Sequence, residues 1–318
     1  MLSHTVTIKF PTRRRRILAF SDLQYDLDFK PQQLDRLSHC LRSEIAKSHI
    51  DYVFFLGDLV NSLHVLEDEV AYAKLLNFLR QIAQTAPLII VLGNHDEYYY
   101  RSNKYLERPD LYHKLHNDLQ SIVDVHVLGT DQEIDSPIFD DGAIRVLGLS
   151  LPRACYYKQG TTRETHRKGQ LAFDRLIGQY LPQLTSVQDR DRYVLMHSPT
   201  YLSPCLLNQD FLVLAGHMHN GVVPPILDEL TRFTHRGLVG PGLCRTGLRD
   251  HQFELFPRYA RLQPTLQRPW HTVQPSTYFG SGIFKLLNVF YPKVSYSIII
   301  DDPSIPKLKV SASYHHKT

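Results

Sequence analysis

Short apolar runs alternate with amphipathic patterns through the first half of the chain. The runs "RILAFSD", "DYVFFLGD" and "APLIIVLGNHD" each contain an unbroken apolar stretch, which is typical of a buried strand. Residues 67–83 have a helical pattern, and so do residues 32–47, whose apolar side chains share one face: Leu34, Leu37, Leu41 and Ile45. Strands that alternate with helices of this length predict βαβ units and a parallel sheet.

The same alternation continues up to residue 219. Four more strands are predicted at "VHVLG", "AIRVLGLS", "RYVLMHS" and "FLVLAGHMH", with a helix around 169–181 between the second and the third. Residues 221–275 are rich in Pro, Gly and Arg and predict a loop-dominated segment. Alternating apolar positions over 294–300 predict a further strand, and Pro292 argues against one long helix there.

These patterns predict an α/β protein with three parts. A basic lead-in covers residues 1–16, and the α/β domain covers residues 17–240. An extension over residues 241–318 is expected to pack on the domain or to cover it.

Composition narrows the class of protein. The chain has 318 residues, of which 43% are hydrophobic and 11% aromatic, enough for a buried core and too many for a globally disordered chain. No apolar run approaches the roughly 18–20 residues that span a bilayer, so no transmembrane segment is expected. Four widely separated cysteines predict reduced thiols and a cytoplasmic location: Cys40, Cys155, Cys205 and Cys244.

Charge is unevenly distributed along the chain. Residues 1–16 hold Lys9 and four arginines with no acid, a net +5, and residues 241–318 hold ten basic and four acidic residues, a net +6. The middle holds 21 basic and 28 acidic residues, a net −7. An acidic centre with basic ends fits a metal site in the body and an anionic substrate or surface at the ends. Solvated tails are the alternative.

Five predicted strands end in side chains that can bind a metal ion. The oxygen and imidazole donors among them suit Mn²⁺, Fe or Zn²⁺ better than a thiolate site would. The HxH spacing of the last two places both rings on one side of an extended segment, where they could serve two neighbouring ions. Each residue alone also fits a turn, a helix cap or a buried histidine, but the ordered set indicates a metal centre: Asp22 and Gln24, Asp58, Asn94 with His95 and Asp96, His197, and His217 with His219.

This ordered set resembles the calcineurin-like metallophosphoesterase superfamily. The set is D-x-[H/Q], GD, GNHD, H and GHxH, and it runs from Asp22 to His219 with Gln24 at the variable position. The resemblance implies a four-layer αββα sandwich with a two-metal centre at the carboxyl ends of the strands. It also implies a role for each matched residue: Asp22, residue 24 and His219 on one metal; Asn94, His197 and His217 on the other; Asp58 as the bridge; His95 beside the leaving group; and Asp96 as the residue that orients His95.

The implied activity is hydrolysis of a small phosphorylated substrate. A phosphodiester is the expected substrate, with monoesters as a further class, and a metal-bridging hydroxide is the expected nucleophile. Two cations about 3.5–4 Å apart stabilise both the attacking and the departing oxygen, and they lower the pKa of a bound water toward about 7. His95 is suited to protonate the leaving oxygen.

Gln24 stands where most of the superfamily has histidine. An amide oxygen is a weaker and harder donor than imidazole, so Mn²⁺ is favoured over Zn²⁺ or Fe at the first metal position. The same exchange resembles the manganese-dependent ADP-ribose/CDP-alcohol diphosphatase branch, which is the alternative enzymatic function. A non-catalytic binding scaffold is a second alternative. A nuclease is less expected, because no coiled-coil insertion or long basic aromatic groove is present.

Two further residues are candidates for substrate binding. Tyr98 follows the GNHDE motif, together with Tyr99 and Tyr100, and Arg153 follows the strand "RVLGLSLP". Half-buried packing of the tyrosines and a surface role for Arg153 are the alternatives. The basic ends predict a weak peripheral contact with an anionic membrane, worth about 1 kcal/mol for each Lys or Arg near the surface.

Overall fold

The computed structural model describes most of the domain predicted for residues 17–240 and several strands on either side of it. The described residues are 6–8, 15–28, 31–101, 104–131, 133–134, 136–150, 163–187, 189–198, 211–217, 237–239, 242–244, 270–272, 295–301 and 310–314.

Helices in the described part of the chain are α1 (Pro31–Ser48), α2 (Glu69–Ala83), α3 (Pro109–Gln120) and α4 (Arg163–Thr185), with a 3₁₀ turn at Leu63–Glu67. The strands there are β1 (Val6–Ile8), β2 (Arg16–Phe20), β3 (Tyr52–Leu56), β4 (Leu88–Val91), β5 (Tyr99–Arg101), β6 (Lys104–Leu106), β7 (Val125–Leu128), β8 (Ile138–Asp140), β9 (Ile144–Leu149), β10 (Asp191–Met196), β11 (Leu212–Ala215), β12 (Gly237–Val239), β13 (Gly242–Cys244), β14 (Trp270–Thr272), β15 (Ser295–Asp301) and β16 (Val310–Tyr314).

Two larger sheets organise these strands. Sheet I has the order β1-β15-β2-β3-β4-β7, with β16 paired to β15, and its strands β2, β3, β4 and β7 are parallel. Sheet II has the order β14-β11-β10-β9-β8, in which only the β8–β9 pair is antiparallel. Parallel strands connected by helices place their carboxyl ends at one edge, and both sheets have such an edge.

Three apolar clusters form the core. The inner faces of the two sheets pack on each other, with Phe54 from sheet I against Tyr193 from sheet II at a ring-centroid distance of 5.4 Å. The outer face of sheet I packs on α1, α2 and α3, and the outer face of sheet II packs on α4. The sheets approach closely at Gly148, where an added Cβ would lie 2.3 Å from the Cβ of Leu128. A side chain at residue 148 would therefore push the two sheets apart.

The α/β class with parallel sheets is confirmed. Every strand predicted up to residue 219 and the strand predicted at 294–300 has a counterpart. The predicted helix at 67–83 begins at Glu69, because Asp68 caps it by accepting hydrogen bonds from the amides of residues 70 and 71. The predicted helix around 169–181 is longer, because α4 also includes the polar turn that precedes residue 169.

One helix in the described residues was not predicted. α3 begins with Pro109 at its first position and buries three leucines spaced four residues apart: Leu111, Leu115 and Leu119. Both features are helix signals, but polar and histidine residues between the leucines obscure the pattern.

The proposed division into three parts stays a prediction. In the structure, β1 from the lead-in pairs with β15 from the extension, and β15 in turn pairs antiparallel with β2 through Ile300 and Arg16. Among the described residues, no helix is both long enough and apolar enough to cross a lipid bilayer.

Candidate metal centre

The carboxyl ends of five strands meet where the two sheets pack on each other. β2, β3 and β4 of sheet I lead to Asp22, Asp58 and Asn94, whereas β10 and β11 of sheet II lead to His197 and His217. Each of these residues follows its strand within three positions. The chain thus brings oxygen donors from one sheet toward imidazole donors from the other.

Three of these side chains form a compact cluster. Each offers one ligand atom, and the ligand atoms of Asp58, His197 and His217 all lie within 4.8 Å of one another. His197 Nε2 lies 3.2 Å from Asp58 Oδ1 and 3.1 Å from His217 Nδ1. Asp58 and His197 are fully buried, and His217 is partly exposed. Such a mixed oxygen and imidazole set fits a divalent transition metal.

The ring of His197 is oriented by the backbone of β3. Its Nδ1 lies 2.7 Å from the carbonyl oxygen of Leu56. A carbonyl oxygen only accepts hydrogen bonds, so Nδ1 carries the proton and Nε2 is directed at Asp58 and His217. A histidine that binds a metal through one nitrogen is commonly fixed in this way through the other.

The charges in the cluster depend on one another. Burial raises the pKa of Asp58, but the histidines around it outweigh burial and hold that pKa well below its ordinary value. Burial lowers the pKa of His197, yet the Asp58 carboxylate raises it to about 9. Asp58 is therefore a buried anion that positive charge must stabilise, a role that a metal cation can also fill.

Asn94 supplies an independent test of whether a metal fits. Its side-chain Oδ1 is buried, and no hydrogen-bond donor reaches it within the part of the chain that the structure describes. A buried carbonyl-type oxygen without a partner costs free energy unless a donor or a cation satisfies it. Asn94 directly precedes His95, whose backbone N–H donates to Asp58 Oδ1 at 2.9 Å. The donor set therefore fits a bound cation.

The backbone around these residues is strained. Among the described residues, six other than glycine have a positive φ, and four of them are predicted ligands: Asp22 (51°), Gln24 (46°), Asp58 (59°) and His217 (66°). This left-handed region is unfavourable for residues with a Cβ, and such conformations concentrate at functional sites. Backbone hydrogen bonds hold two of the turns, from Asp22 N to Gly57 O at 2.9 Å and from Gln24 N to Asp58 O at 2.8 Å.

Glycines precede three of the predicted ligands because the site leaves no room for a Cβ. A Cβ on Gly57 would lie 2.4 Å from His197 Nδ1, and one on Gly93 would lie 2.3 Å from Asp58 Oδ1. A Cβ on Gly216 would lie 2.7 Å from the carbonyl oxygen of Leu56. The glycines of the GD, GN and GH pairs thus permit the close approach of the strand ends.

Asp22 and Gln24 border the same cluster. Asp22 Oδ2 accepts hydrogen bonds from Ser21 Oγ at 2.5 Å and from the backbone N–H of His217 at 3.1 Å. Gln24 Nε2 lies 3.3 Å from Asp58 Oδ2. Because the two ends of an amide group are interchangeable by rotation, Gln24 can present either its nitrogen or its oxygen there. His219, the remaining predicted ligand, lies outside the described residues.

His95 lies at the open side of the cluster. Its ring is 33% exposed, and its Nε2 lies 4.0 Å from Asp58 Oδ2. Its Nδ1 lies 2.7 Å from the backbone carbonyl oxygen of Asn61. The predicted orienting residue, Asp96, makes other contacts. The hydrogen bond that holds the His95 ring thus runs to Asn61 rather than to Asp96.

Asp96 is fully buried and accepts three hydrogen bonds from backbone amides. Its donors are Gly93 N at 2.8 Å, Asp58 N at 3.0 Å and Val60 N at 3.0 Å. Burial and the nearby Asp58 charge together raise the pKa of Asp96 to about 7. Asp96 therefore ties the loop after β4 to the loop after β3. Asn61 was not predicted as a site residue, although its place three residues after Asp58, in "GDLVN", marks it as part of the same turn.

Of the two residues predicted to bind substrate, the structure describes only Tyr98. Tyr98 is buried, and its ring centroid lies 6.4 Å from that of His95. Tyr99 is also buried, and its hydroxyl donates to Glu67 Oε2 at 2.9 Å, whereas Tyr100 is 38% exposed. Arg153 lies outside the described residues.

Comparison with known proteins identifies the family. The family model described as calcineurin-like phosphoesterase matches residues 15–221, which is more than half of the chain. The chain belongs to this family. A calcineurin-like phosphoesterase is a phosphoric ester hydrolase, and the family implies a centre with two metal ions, for which Asp58, His197 and His217 are a possible ligand group.

Several solved structures resemble this calcineurin-like phosphoesterase at low identity. A dimetal phosphatase from Danio rerio is 12% identical over 95% of this chain and 99% of that chain, with a TM-score of 0.48. The purple acid phosphatase PPD1 from yellow lupin is 14% identical over 68% of this chain and 39% of that chain, with a TM-score of 0.34. The nuclease MPE from Pseudomonas putida is 14% identical over 64% and 62%, with a TM-score of 0.29. No curated protein is significantly similar to the chain.

Proposed function

We propose that this protein hydrolyses phosphodiesters, and also monoesters, at the cluster of Asp58, His197 and His217. The observation that carries this proposal is the convergence of three ligand atoms, from both sheets, within 4.8 Å of one another. A buried anion bordered by imidazole nitrogens is suited to divalent cations, and so is the buried Asn94 oxygen, for which the described residues provide no hydrogen-bond donor. Such cations are suited to bind a phosphate.

We take the metal ligands from the motifs that match the family. We assign Asp22, Gln24 and His219 to one cation and Asn94, His197 and His217 to the other, with Asp58 between them. When bound, the two ions supply positive charge against the phosphate oxygens and make a water molecule acidic enough to attack phosphorus near neutral pH. Mn²⁺ is the favoured metal, because Gln24 offers an amide oxygen instead of an imidazole.

His95 is assigned to the leaving group. The Asn61 carbonyl keeps a proton on Nδ1, and Nε2 of the partly exposed ring lies 4.0 Å from Asp58 Oδ2, at the edge of the cluster. In the protonated ring, Nε2 donates its proton to the departing oxygen as the P–O bond breaks. Asp96 acts through the backbone, because the three amides that it accepts from include those of Gly93 and Asp58.

The finer features of the substrate are also part of this proposal. Tyr98, beside His95, and Arg153 are the candidates for contact with a small phosphorylated substrate. The domain over residues 17–240 would carry the chemistry and the extension over 241–318 would pack on it. A cytoplasmic location rests on the four separate cysteines, and a weak contact with anionic membranes rests on the basic ends.

Gln24 favours a second candidate function. This candidate is a manganese-dependent pyrophosphatase that cleaves nucleotide diphosphates such as ADP-ribose or CDP-alcohols. The Gln24 amide lies against the Asp58 carboxylate, so this exchange affects the metal site directly. A non-catalytic scaffold is disfavoured, because the chain keeps every other ligand of the matched set.

The test is a panel of substrates assayed with the metal-free protein and with Mn²⁺, Zn²⁺ or Fe²⁺ added. The panel holds bis-p-nitrophenyl phosphate, p-nitrophenyl phosphate, a cyclic nucleotide, a glycerophosphodiester and ADP-ribose. We expect Mn²⁺ to give the highest rate, with diesters preferred. Preferred cleavage of ADP-ribose would replace the first candidate with the second, and no metal-dependent cleavage of any substrate would contradict both.

A further inference from the structure

The His95 ring depends on a neighbour that offers only its backbone. The Asn61 carbonyl oxygen lies 2.7 Å from His95 Nδ1, and within the described residues no side-chain carboxylate lies closer than Asp58 Oδ2, at 4.0 Å from Nε2. The direction of the ring therefore depends on where that carbonyl lies. The position of the carbonyl depends in turn on the contacts that Asn61 makes.

Two hydrogen bonds hold Asn61 to the segment that follows β2. Its backbone N–H donates to the carbonyl oxygen of Tyr25 at 2.9 Å, and its side-chain Nδ2 donates to Asp26 Oδ2 at 2.6 Å. Tyr25 also forms an isolated parallel bridge with Val60. The Asn61 side chain thus bonds Asp26, whereas the carbonyl of Asn61 contacts the His95 ring.

The second oxygen of Asp26 is used as well. Asp26 Oδ1 accepts from the backbone N–H of Leu27 at 2.7 Å and lies 3.1 Å from His64 Nε2. Asp26 is 31% exposed and His64 is 21% exposed, so the pair lies at the border of the protein rather than in its core. With both oxygens engaged, the Asp26 carboxylate has little rotational freedom.

We propose that Asp26 is a positioning residue for His95, acting through the Asn61 carbonyl. This inference rests on the proposed function, since it matters for catalysis only if His95 protonates the leaving group. Charge-assisted hydrogen bonds such as the one from Asn61 to Asp26 are short and strongly directional. Its loss frees the Asn61 side chain, and the carbonyl that sets the His95 ring then loses one of its two anchors.

The expected effect is specific to the protonation step. A small displacement of a catalytic group can lower a rate by about 10²-fold while the substrate still binds. We therefore expect Asp26→Ala to lower kcat about 10–100-fold for a methyl phosphodiester, whose leaving group needs a proton, with KM and metal content unchanged. For bis-p-nitrophenyl phosphate, whose leaving group is stable without a proton, the loss should be less than about threefold.

The experiment compares Asp26→Ala with two other single variants, one double variant and a control. Asp26→Asn keeps an acceptor for the Asn61 amide and should restore most of kcat. The double variant Asp26→Ala/His95→Ala should be no slower than His95→Ala alone, because both changes remove one function. The control is Asp118→Ala, which removes a carboxylate of similar exposure that bonds Tyr72 and Lys114 away from the site, and it should leave kcat unchanged.

The outcomes distinguish a failure of the Asp26 inference from a failure of the proposed function. If His95→Ala selectively lowers kcat on the methyl phosphodiester and Asp26→Ala does not, Asp26 is not a positioning residue and the proposed function stands. If His95→Ala shows no leaving-group dependence, the assignment of His95 fails first. Equal losses on both substrates, a loss of metal, or additive effects in the double variant would make Asp26 a structural residue and overturn the inference.

Discussion

At the amino-terminal ends of the strands, carboxylates meet arginine, tyrosine and ordinary backbone groups, whereas at the carboxyl ends they meet histidines and strained turns. Asp51 accepts from Arg16 N at 2.8 Å, and Asp141 accepts from the Tyr52 hydroxyl at 2.5 Å. Asp140 forms ion pairs with Arg145 and Arg190. The acids at this end are thus balanced by permanent cations and hydroxyl donors.

At the carboxyl ends, no arginine or lysine contacts Asp58 among the described residues, and its partners are His197, His95 and the amide of Gln24. Acidic residues at opposite ends of the strands therefore have different roles. Asp140, which is balanced by two arginines, stabilises the fold, whereas Asp58, whose partners are histidines and an amide, leaves negative charge for a cation.

Asp58→Asn should have the largest effect. The change keeps the shape of the side chain but removes the charge that would be shared between two cations, so turnover should fall below detection and bound metal should decrease. Asp141→Asn is the matched control at the opposite end, and it should keep full activity. Rates on bis-p-nitrophenyl phosphate, metal analysis and circular dichroism measure the two variants. Wild-type turnover and unchanged metal in Asp58→Asn would remove Asp58 from the centre.

His95→Ala should lower kcat by about 10²–10⁴-fold while metal stays bound. The ring contacts Asn61 and the edge of the cluster but is not among the three converging ligand atoms. His126→Ala, which removes a half-buried ring that packs on Phe139, is the control and should leave kcat unchanged. Loss of metal in His95→Ala would make His95 a ligand or the support of one.

Gly57→Ala should destabilise the fold more than Gly142→Ala does. Both glycines have a positive φ, 89° and 87°, so an alanine costs about 1–2 kcal/mol at either position. Only Gly57 has a neighbour at 2.4 Å, His197 Nδ1, and overpacking there adds about 1–3 kcal/mol. Urea unfolding of the metal-free proteins measures the difference. Equal losses of unfolding free energy would mean that the close approach at Gly57 relaxes freely.

Gln24→His should change the metal preference by about 10–100-fold. An imidazole beside Asp58 favours Zn²⁺ or Fe over Mn²⁺, because nitrogen donors bind the later metals more tightly. Gln32→His, at an exposed position of α1, serves as the control. Activation curves with each metal report the change, and superimposable Mn²⁺ and Zn²⁺ curves for both forms would show that residue 24 does not reach the metal.

Arg190→Ala should have the smallest effect. Its ion pairs with Asp140 and Asp189 are partly exposed, and such pairs contribute about 0–1 kcal/mol to the free energy of unfolding. Turnover and metal content should stay at the wild-type level. A clear loss of activity would show that the amino-terminal end of the sheets affects the centre, against the division of roles described above.

Much of the structure was predictable because its signals are local. The buried runs of β2, β3 and β4 and the polar residues after them are visible in the sequence, so a parallel sheet with candidate ligands at the carboxyl ends of its strands was predictable, whereas the order of the strands was not predicted. The close approach of Gly148 to Leu128 and the hydrogen bond from His95 Nδ1 to the Asn61 carbonyl were not predictable, because each joins segments whose relative position depends on packing. The turn of the Asn61 side chain toward Asp26 likewise depends on a contact between two loops.

The place of β15 in sheet I has a consequence for biosynthesis. β15 (Ser295–Asp301) lies between β1 (Val6–Ile8) and β2 (Arg16–Phe20), so the edge of β2 waits for a partner that is translated much later. At about 5–20 residues per second, the nascent chain leaves this edge open for on the order of tens of seconds. An unpaired strand edge is a template for wrong pairing. We therefore expect the nascent chain, before β15 is translated, to be more prone to wrong strand pairing than the full-length protein.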